Sequence, residues 1–315
     1  MTDSSIRVEE VAAGTSADKS EGKVATVGDY FSLLKPGVMR LSIFTALVGL
    51  IAAPGSIDPI IGLAAVLSIA VGAGASGALN MWYDADIDQK MERTKGRAVA
   101  SGRIPASEAL TLGMVLSVLS VFSMAFMVNF VAAGLLAFTI FYYVVLYTMW
   151  WKRSTPHNIV IGGAAGALPP MIGWAAVTAD VSLNSFSLFA LIFIWTPPHF
   201  WALSLWRAGD YEKAGVPMLP VVKGKASTRN QIMGYSILLV PTALLPWFLG
   251  VTGAVYGIAA IGLNLAFLYF AFVVWRSGDD DEGPAKKLFA YSIVYLFASF
   301  LILGLDAGGL FGSGA

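Results

Sequence analysis

Residues 70–90 read AVGAGASGALNMWYDADIDQK. The stretch passes from small apolar residues to an amide, Asn80, and then to three carboxylates, Asp84, Asp86 and Asp88. Its apolar part ends an uncharged run that begins near residue 59. A run of about 20 such residues matches the ~30 Å hydrocarbon core of a bilayer. The stretch therefore reads as a membrane-crossing helix with acid at its far edge.

The same pattern repeats outward in both directions. Of 315 residues, 57% are hydrophobic and 13% charged, and the charges are clustered. The mean hydropathy of +0.72 is beyond what a soluble domain tolerates. Nine apolar segments can be marked, at about 37–54, 59–83, 106–128, 130–150, 157–178, 184–208, 229–250, 253–275 and 287–310. The expected fold is an all-α polytopic membrane protein, nine transmembrane helices bundled around a central cavity, over residues 29–315. Residues 1–28 are polar and lack a continuous apolar core, so they read as a disordered cytosolic tail rather than a secretory signal. Zero net charge removes the electrostatic case for nucleic acid, and the absence of cysteine removes disulfides and thiolate sites.

Basic residues orient the bundle. With nine spans, all 20 lysines and arginines fall on one side. Those before or at the first span include Lys35 and Arg40; Lys90 to Arg103 separate spans two and three, and Lys152 and Arg153 spans four and five. The alternate links, such as APGSID and TADVSL, carry none. By the positive-inside rule the loaded side is cytoplasmic, with the amino terminus inside and the carboxyl terminus outside.

Asn80, Asp84 and Asp88 are spaced i, i+4, i+8 and share one helical face; Asp86 points away. One reading is a helix that exits into water with its aspartates solvated. Against it, Asn80 lies inside the apolar run, where an unpaired amide is costly, and Arg93, Arg97, Lys152 and Arg153 lie on the same side. Oxygen ligands facing guanidinium and ammonium groups suit a Mg²⁺-bound polyphosphate. A second cluster follows span six in WTPPHFWALSLWRAGDYEK, where Asp210 offers a second metal ligand and Lys213 another cation, unless this is an ordinary polar loop.

The motif N-x-x-x-D-x-x-x-D at Asn80–Asp88 resembles the aspartate-rich motif of the UbiA superfamily of intramembrane prenyltransferases. WTPPHFWAL, DYEKAGVPMLPVV, TPHNIVIGGAAGALPPMIGW and LLKPGVMRLSIFTALVGL are similar to one branch of it, the protohaem IX farnesyltransferases, over roughly residues 30–305. One departure stands out: Arg97 is followed by Ala98 and Val99 where that branch has proline and leucine. The resemblance implies transfer of farnesyl from farnesyl diphosphate to a vinyl group of haem B, giving haem O and diphosphate, with a haem A synthase as the partner that takes the product. The expected metal ligands for Mg²⁺ are Asn80, Asp84, Asp88 and Asp210. The expected diphosphate cations are Arg93, Arg97, Lys152, Arg153 and Lys213.

His199 follows Pro197 and Pro198 inside span six, where prolines are expected to break helical hydrogen bonding beside a cavity. It either contacts haem or caps freed carbonyls. Tyr143 and Tyr147, one turn apart near the cytoplasmic end of span four, either face the reacting cation or anchor the helix at the interface. Rival functions are a prenyltransferase with an aromatic or chlorophyllide acceptor, an ion-coupled secondary transporter, and a non-catalytic haem-handling factor. Transporter acids tend to lie at the bilayer midplane, whereas these lie at one edge. The expected location is the plasma membrane.

Overall fold

The computed structural model describes residues 25–310. Residues 1–24 of the expected tail lie outside the described residues. Residues 25–28 do not follow the tail expectation: Thr26 caps a helix, α1 (Val27–Leu33), through a reciprocal pair of bonds with Asp29. The chain then runs through α2 (Pro36–Ala52), α3 (Pro59–Tyr83), α4 (Ala85–Asp88), α5 (Ala106–Met127) and α6 (Phe130–Phe141). After α7 (Asn158–Thr178) come α8 (Leu183–Lys213), α9 (Leu219–Val222), α10 (Gly224–Phe248), α11 (Ala254–Arg276) and α12 (Gly283–Ala307). There is no strand among the described residues.

Eight of the described helices are long and apolar enough to span a bilayer; α1 and α2, bent by 52° at their junction, make a ninth if counted as one span. The helix is short there because Lys35 adopts a left-handed conformation, φ 52°, at the junction. That conformation costs roughly 1–2 kcal/mol in a non-glycine residue.

Small residues let the helices meet backbone to backbone. A β-carbon at Gly49 of α2 would overlap the Pro170 carbonyl of α7, and one at Gly173 of α7 would overlap the Ala46 carbonyl of α2. Helix α3 packs along α5, α7 lies between α2 and α8, and α10 and α12 pack against α8 with α11 behind them. Large apolar side chains such as Leu63, Phe126, Ile258 and Leu265 remain exposed on the outer faces, where lipid would cover them.

Two elements differ from the expected pattern. Span four changes register: α6 continues as a π-helix over Tyr142–Trp150 and then a 3₁₀ turn over Trp151–Arg153. Span six does not break at its prolines; α8 runs unbroken through Pro197 and Pro198. The missing proline N–H groups still leave two carbonyls a turn back without helical donors.

Candidate active site

Helix α3 ends at Tyr83, and Asp84 is its C-cap. The chain re-enters helical geometry in α4, with the Asp88 amide bonded to the Asp84 carbonyl at 2.8 Å. The break is small enough that Asn80, Asp84 and Asp88 keep one face. All three are buried, with Asp84 fully so, whereas the Asp86 side chain is 58% exposed.

None of the buried trio is bare. The Asn80 Nδ2 donates to Asp84 at 2.7 Å and to the Thr148 hydroxyl at 3.0 Å. Its Oδ1 accepts from the Lys35 ammonium. Asp84 also accepts from Lys152 and, at 3.4 Å, from Arg153. One guanidinium nitrogen of Arg97 donates to both Asp88 oxygens, at 2.9 and 2.7 Å. The loop carrying Arg97 keeps this reach although Ala98 and Val99 follow it; both are buried against Leu33 and Ala78.

A cavity of about 420 Å³ opens beside this cluster. Lys35, Asn80, Asp88, Arg93, Arg97 and Lys152 line one part of it. Asp84 does not reach the wall itself; it is tied to it through Asn80 and Lys152. Arg93 is exposed and has no carboxylate at ion-pair distance among the described residues, so it is uncommitted. Tyr143 and Tyr147, with ring centroids 5.6 Å apart, line the cavity too. They come from the π-helical stretch, whose i→i+5 bonding widens the turn; such stretches are frequent at functional sites.

His199 lines the same cavity from α8. Its ring is stacked between Trp195, 4.4 Å away, and Phe289, 4.6 Å away. Its Nδ1 lies 2.6 Å from the Ser292 hydroxyl, which itself donates to the Phe289 carbonyl at 2.6 Å. The Ser292 hydroxyl thus bridges the imidazole and a backbone carbonyl, and its one proton goes to whichever of the two the His199 tautomer leaves as acceptor.

The remaining expected residues are not brought to this wall. Arg153 grips the exposed Asp86 through two nitrogens, each at 2.8 Å, and stacks on the Tyr83 ring. That grip holds the Asp86 carboxyl below its ordinary pKa. Asp210 faces Arg207 at 3.5 Å, and neither it nor the exposed Lys213 lines the cavity. No three acidic or histidine side chains converge as a ready metal cage among the described residues.

Three participants escaped the sequence reading. Lys35 entered it only as a topological charge; its place before Pro36 and Gly37 was the available signal. Thr148 and Ser292 are lone hydroxyls in apolar runs with nothing to single them out.

The profile of the UbiA prenyltransferase family matches residues 42–294. The chain belongs to that family. It is 62% identical over 278 residues to a protoheme IX farnesyltransferase of Mesorhizobium japonicum, covering 88% of each chain. To one of Parvibaculum lavamentivorans it is 61% identical over 285 residues, covering 90% of each. Solved UbiA folds are similar in shape. A digeranylgeranylglyceryl phosphate synthase superposes with a TM-score of 0.74 at 20% identity, over 89% of this chain and 98% of that one. A UbiA homologue of Archaeoglobus fulgidus, bound to DMAPP and Mg²⁺, gives 0.68 at 18% identity, over 87% and 99%. The expected all-helical membrane fold is thus the UbiA fold.

Proposed function

We propose that the chain transfers the farnesyl group of farnesyl diphosphate to a vinyl group of haem B, giving haem O and diphosphate. What carries this reading is one cavity lined both by the oxygen ligands and cations next to Asp88 and by His199, held between Trp195 and Phe289. The names and the identity of its relatives over about nine-tenths of the chain support the same donor and acceptor.

The donor set suits Mg²⁺. That ion usually takes one or two carboxylates and completes its shell with substrate phosphate and water, so the lack of a full protein cage agrees with it. Asn80, Asp84 and Asp88 are the residues that would hold it; when bound, it supplies positive charge to the departing diphosphate. Asp210 has less support, because its carboxylate faces Arg207 outside the cavity wall. Lys35, Arg93, Arg97 and Lys152 bind and orient the diphosphate oxygens. Arg153 and Lys213, also expected to bind there, have a weaker case; Arg153 acts instead by clamping Asp86 and Asp84.

The allylic C–O bond breaks with its electron pair leaving on diphosphate. The vinyl carbon of haem bonds to the farnesyl carbon. Water then adds to the cation left on the porphyrin side and loses a proton. Tyr143 and Tyr147 offer ring faces beside the first cation, and the apolar wall keeps water from it. His199 contacts haem, as iron ligand or as a hydrogen-bonding or proton-transfer group. The product passes to a haem A synthase. The protein works in the plasma membrane with its site at the cytoplasmic face, amino terminus inside.

The test offers purified protein farnesyl diphosphate with haem B or with a hydroxybenzoate, with and without a divalent-cation chelator. Haem O formed only with haem B, and lost reversibly on chelation, is the expected result. Prenylation of the hydroxybenzoate alone overturns the acceptor, and indifference to chelator overturns the metal.

A further inference from the structure

One buried acceptor on the wall of the large cavity has no partner. Asn158 is the first residue of α7. It is 1% exposed and lines the cavity together with Arg93 and Lys152. Its Nδ2 donates to the Lys152 carbonyl at 3.1 Å. A carbonyl can only accept, so the amide cannot be turned the other way, and Oδ1 is the atom left over. That Oδ1 is buried and accepts from no group among the described residues. A dry acceptor without a donor costs free energy, and a bound ligand can remove that cost.

The surroundings narrow the ligand. Lys152, tied to Asn158 through its carbonyl, reaches Asp84 through its ammonium. Asn158 therefore adjoins the residues proposed to hold metal and diphosphate. Helix α7 has 21 residues, and a helix of that length presents first-turn amides without intrahelical acceptors and a partial positive charge. Such an end draws an anion. A diphosphate oxygen is itself an acceptor, however, and repels Oδ1. Only a cation or a hydrogen-bond donor can meet that atom. Diphosphate carrying a divalent ion answers both demands. The complex is still an anion, and Mg²⁺ keeps several waters with protons to donate.

We propose that Asn158 accepts a hydrogen bond from the water shell of the divalent ion, and so makes the site bind the metal–diphosphate complex in preference to diphosphate alone. Asn158 is a positioning residue in this role, since it acts on the substrate through water. The inference rests on the prenyl-donor half of the proposed function and on its metal, and not on the acceptor.

The experiment measures the affinity of inorganic pyrophosphate for purified protein without haem, with Mg²⁺ and with a chelator, in wild type, Asn158→Leu and Asn158→Asp. Mg²⁺ should tighten pyrophosphate in wild type. Asn158→Leu keeps the volume and removes the acceptor, so it should cut that gain about tenfold, the scale of one hydrogen bond to a charged group. Any loss through the freed Lys152 carbonyl falls on both conditions alike and leaves the gain untouched. Asn158→Asp adds a charge that repels bare pyrophosphate and attracts the ion, so its gain should exceed that of wild type; this variant decides the matter if the leucine one does not fold. An unchanged gain in the variants overturns the proposal, even where affinity falls equally with and without Mg²⁺, and makes Asn158 a brace for Lys152 alone. A wild type indifferent to Mg²⁺ would instead remove the metal reading itself, and this inference with it.

Discussion

Asp84 and Lys152 form an ion pair in which the carboxylate is fully buried. Removing one partner of a buried pair costs about 3–5 kcal/mol, because the other charge is left uncompensated. Asp84→Ala should therefore lower the thermal midpoint in detergent as well as stop haem O formation. The double variant Asp84→Ala/Lys152→Met should recover most of the midpoint and none of the turnover. Recovery of turnover would mean that the pair serves only the fold. Ser292→Ala asks a narrower question. It removes the hydroxyl bonded to the His199 Nδ1, so turnover with haem should fall while affinity for a farnesyl thiolodiphosphate stays level. A fall in both would make Ser292 a packing residue. At this scale the aspartates were readable, since carboxylates ending an apolar run must be paired or solvated. Lys35, Arg153 and Asp210 were not. Spacing assigns a residue to a membrane side; it does not say which way around the helix end the side chain turns. Arg153 turns to Asp86 and Asp210 to Arg207, and Lys35 reaches Asn80 only because the chain bends beneath it.

Helix limits followed apolar run length closely where both ends are abrupt. Asp58 caps α3 by accepting from the Ile60 amide at 2.8 Å, and the helix ends at Tyr83, as the run does. They followed less well where a helix outlasts the bilayer. Helix α8 has 31 residues, about 46 Å at 1.5 Å each, so its last turns are polar and gave no apolar signal. The π-helix left no trace either, because the residues that adopt it are ordinary span residues. The α2–α7 contact carries its own prediction. Gly173→Ala puts a methyl group against the Ala46 carbonyl backbone, where no side chain can yield. Overpacking of this kind costs about 1–3 kcal/mol or more, and a lowered thermal midpoint should report it. Gly166→Ala, on the same helix but facing open space, should leave the midpoint unchanged or raise it. Equal effects at the two positions would refute the close contact.

The whole molecule is a bundle whose basic residues gather on one side, and the absence of cysteine makes that testable. A single cysteine at Asp280, in the link between α11 and α12, should be labelled by a membrane-impermeant thiol reagent only from the cytoplasmic side. One at Asp180, between α7 and α8, should be labelled only from the opposite side. Labelling of both from the same side would overturn the orientation.

In the cluster beside α4, Asp88 and Asp84 are paired with Arg97 and Lys152, the same cations proposed above to bind diphosphate. On the proposed function, loading would be an exchange of partners: phosphate oxygens would draw Arg97, Lys152 and Lys35 from Asp88, Asp84 and Asn80, whose freed oxygens would then be available to a divalent ion. Each ligand removes the obstacle to the other, so their affinities must be thermodynamically linked, and by the same factor in both directions. Mg²⁺ titrated alone should bind weakly, and pyrophosphate at saturation should tighten it severalfold. A site linked in this way would ignore the ion when no isoprenoid donor is at hand, and would stay silent between turnovers.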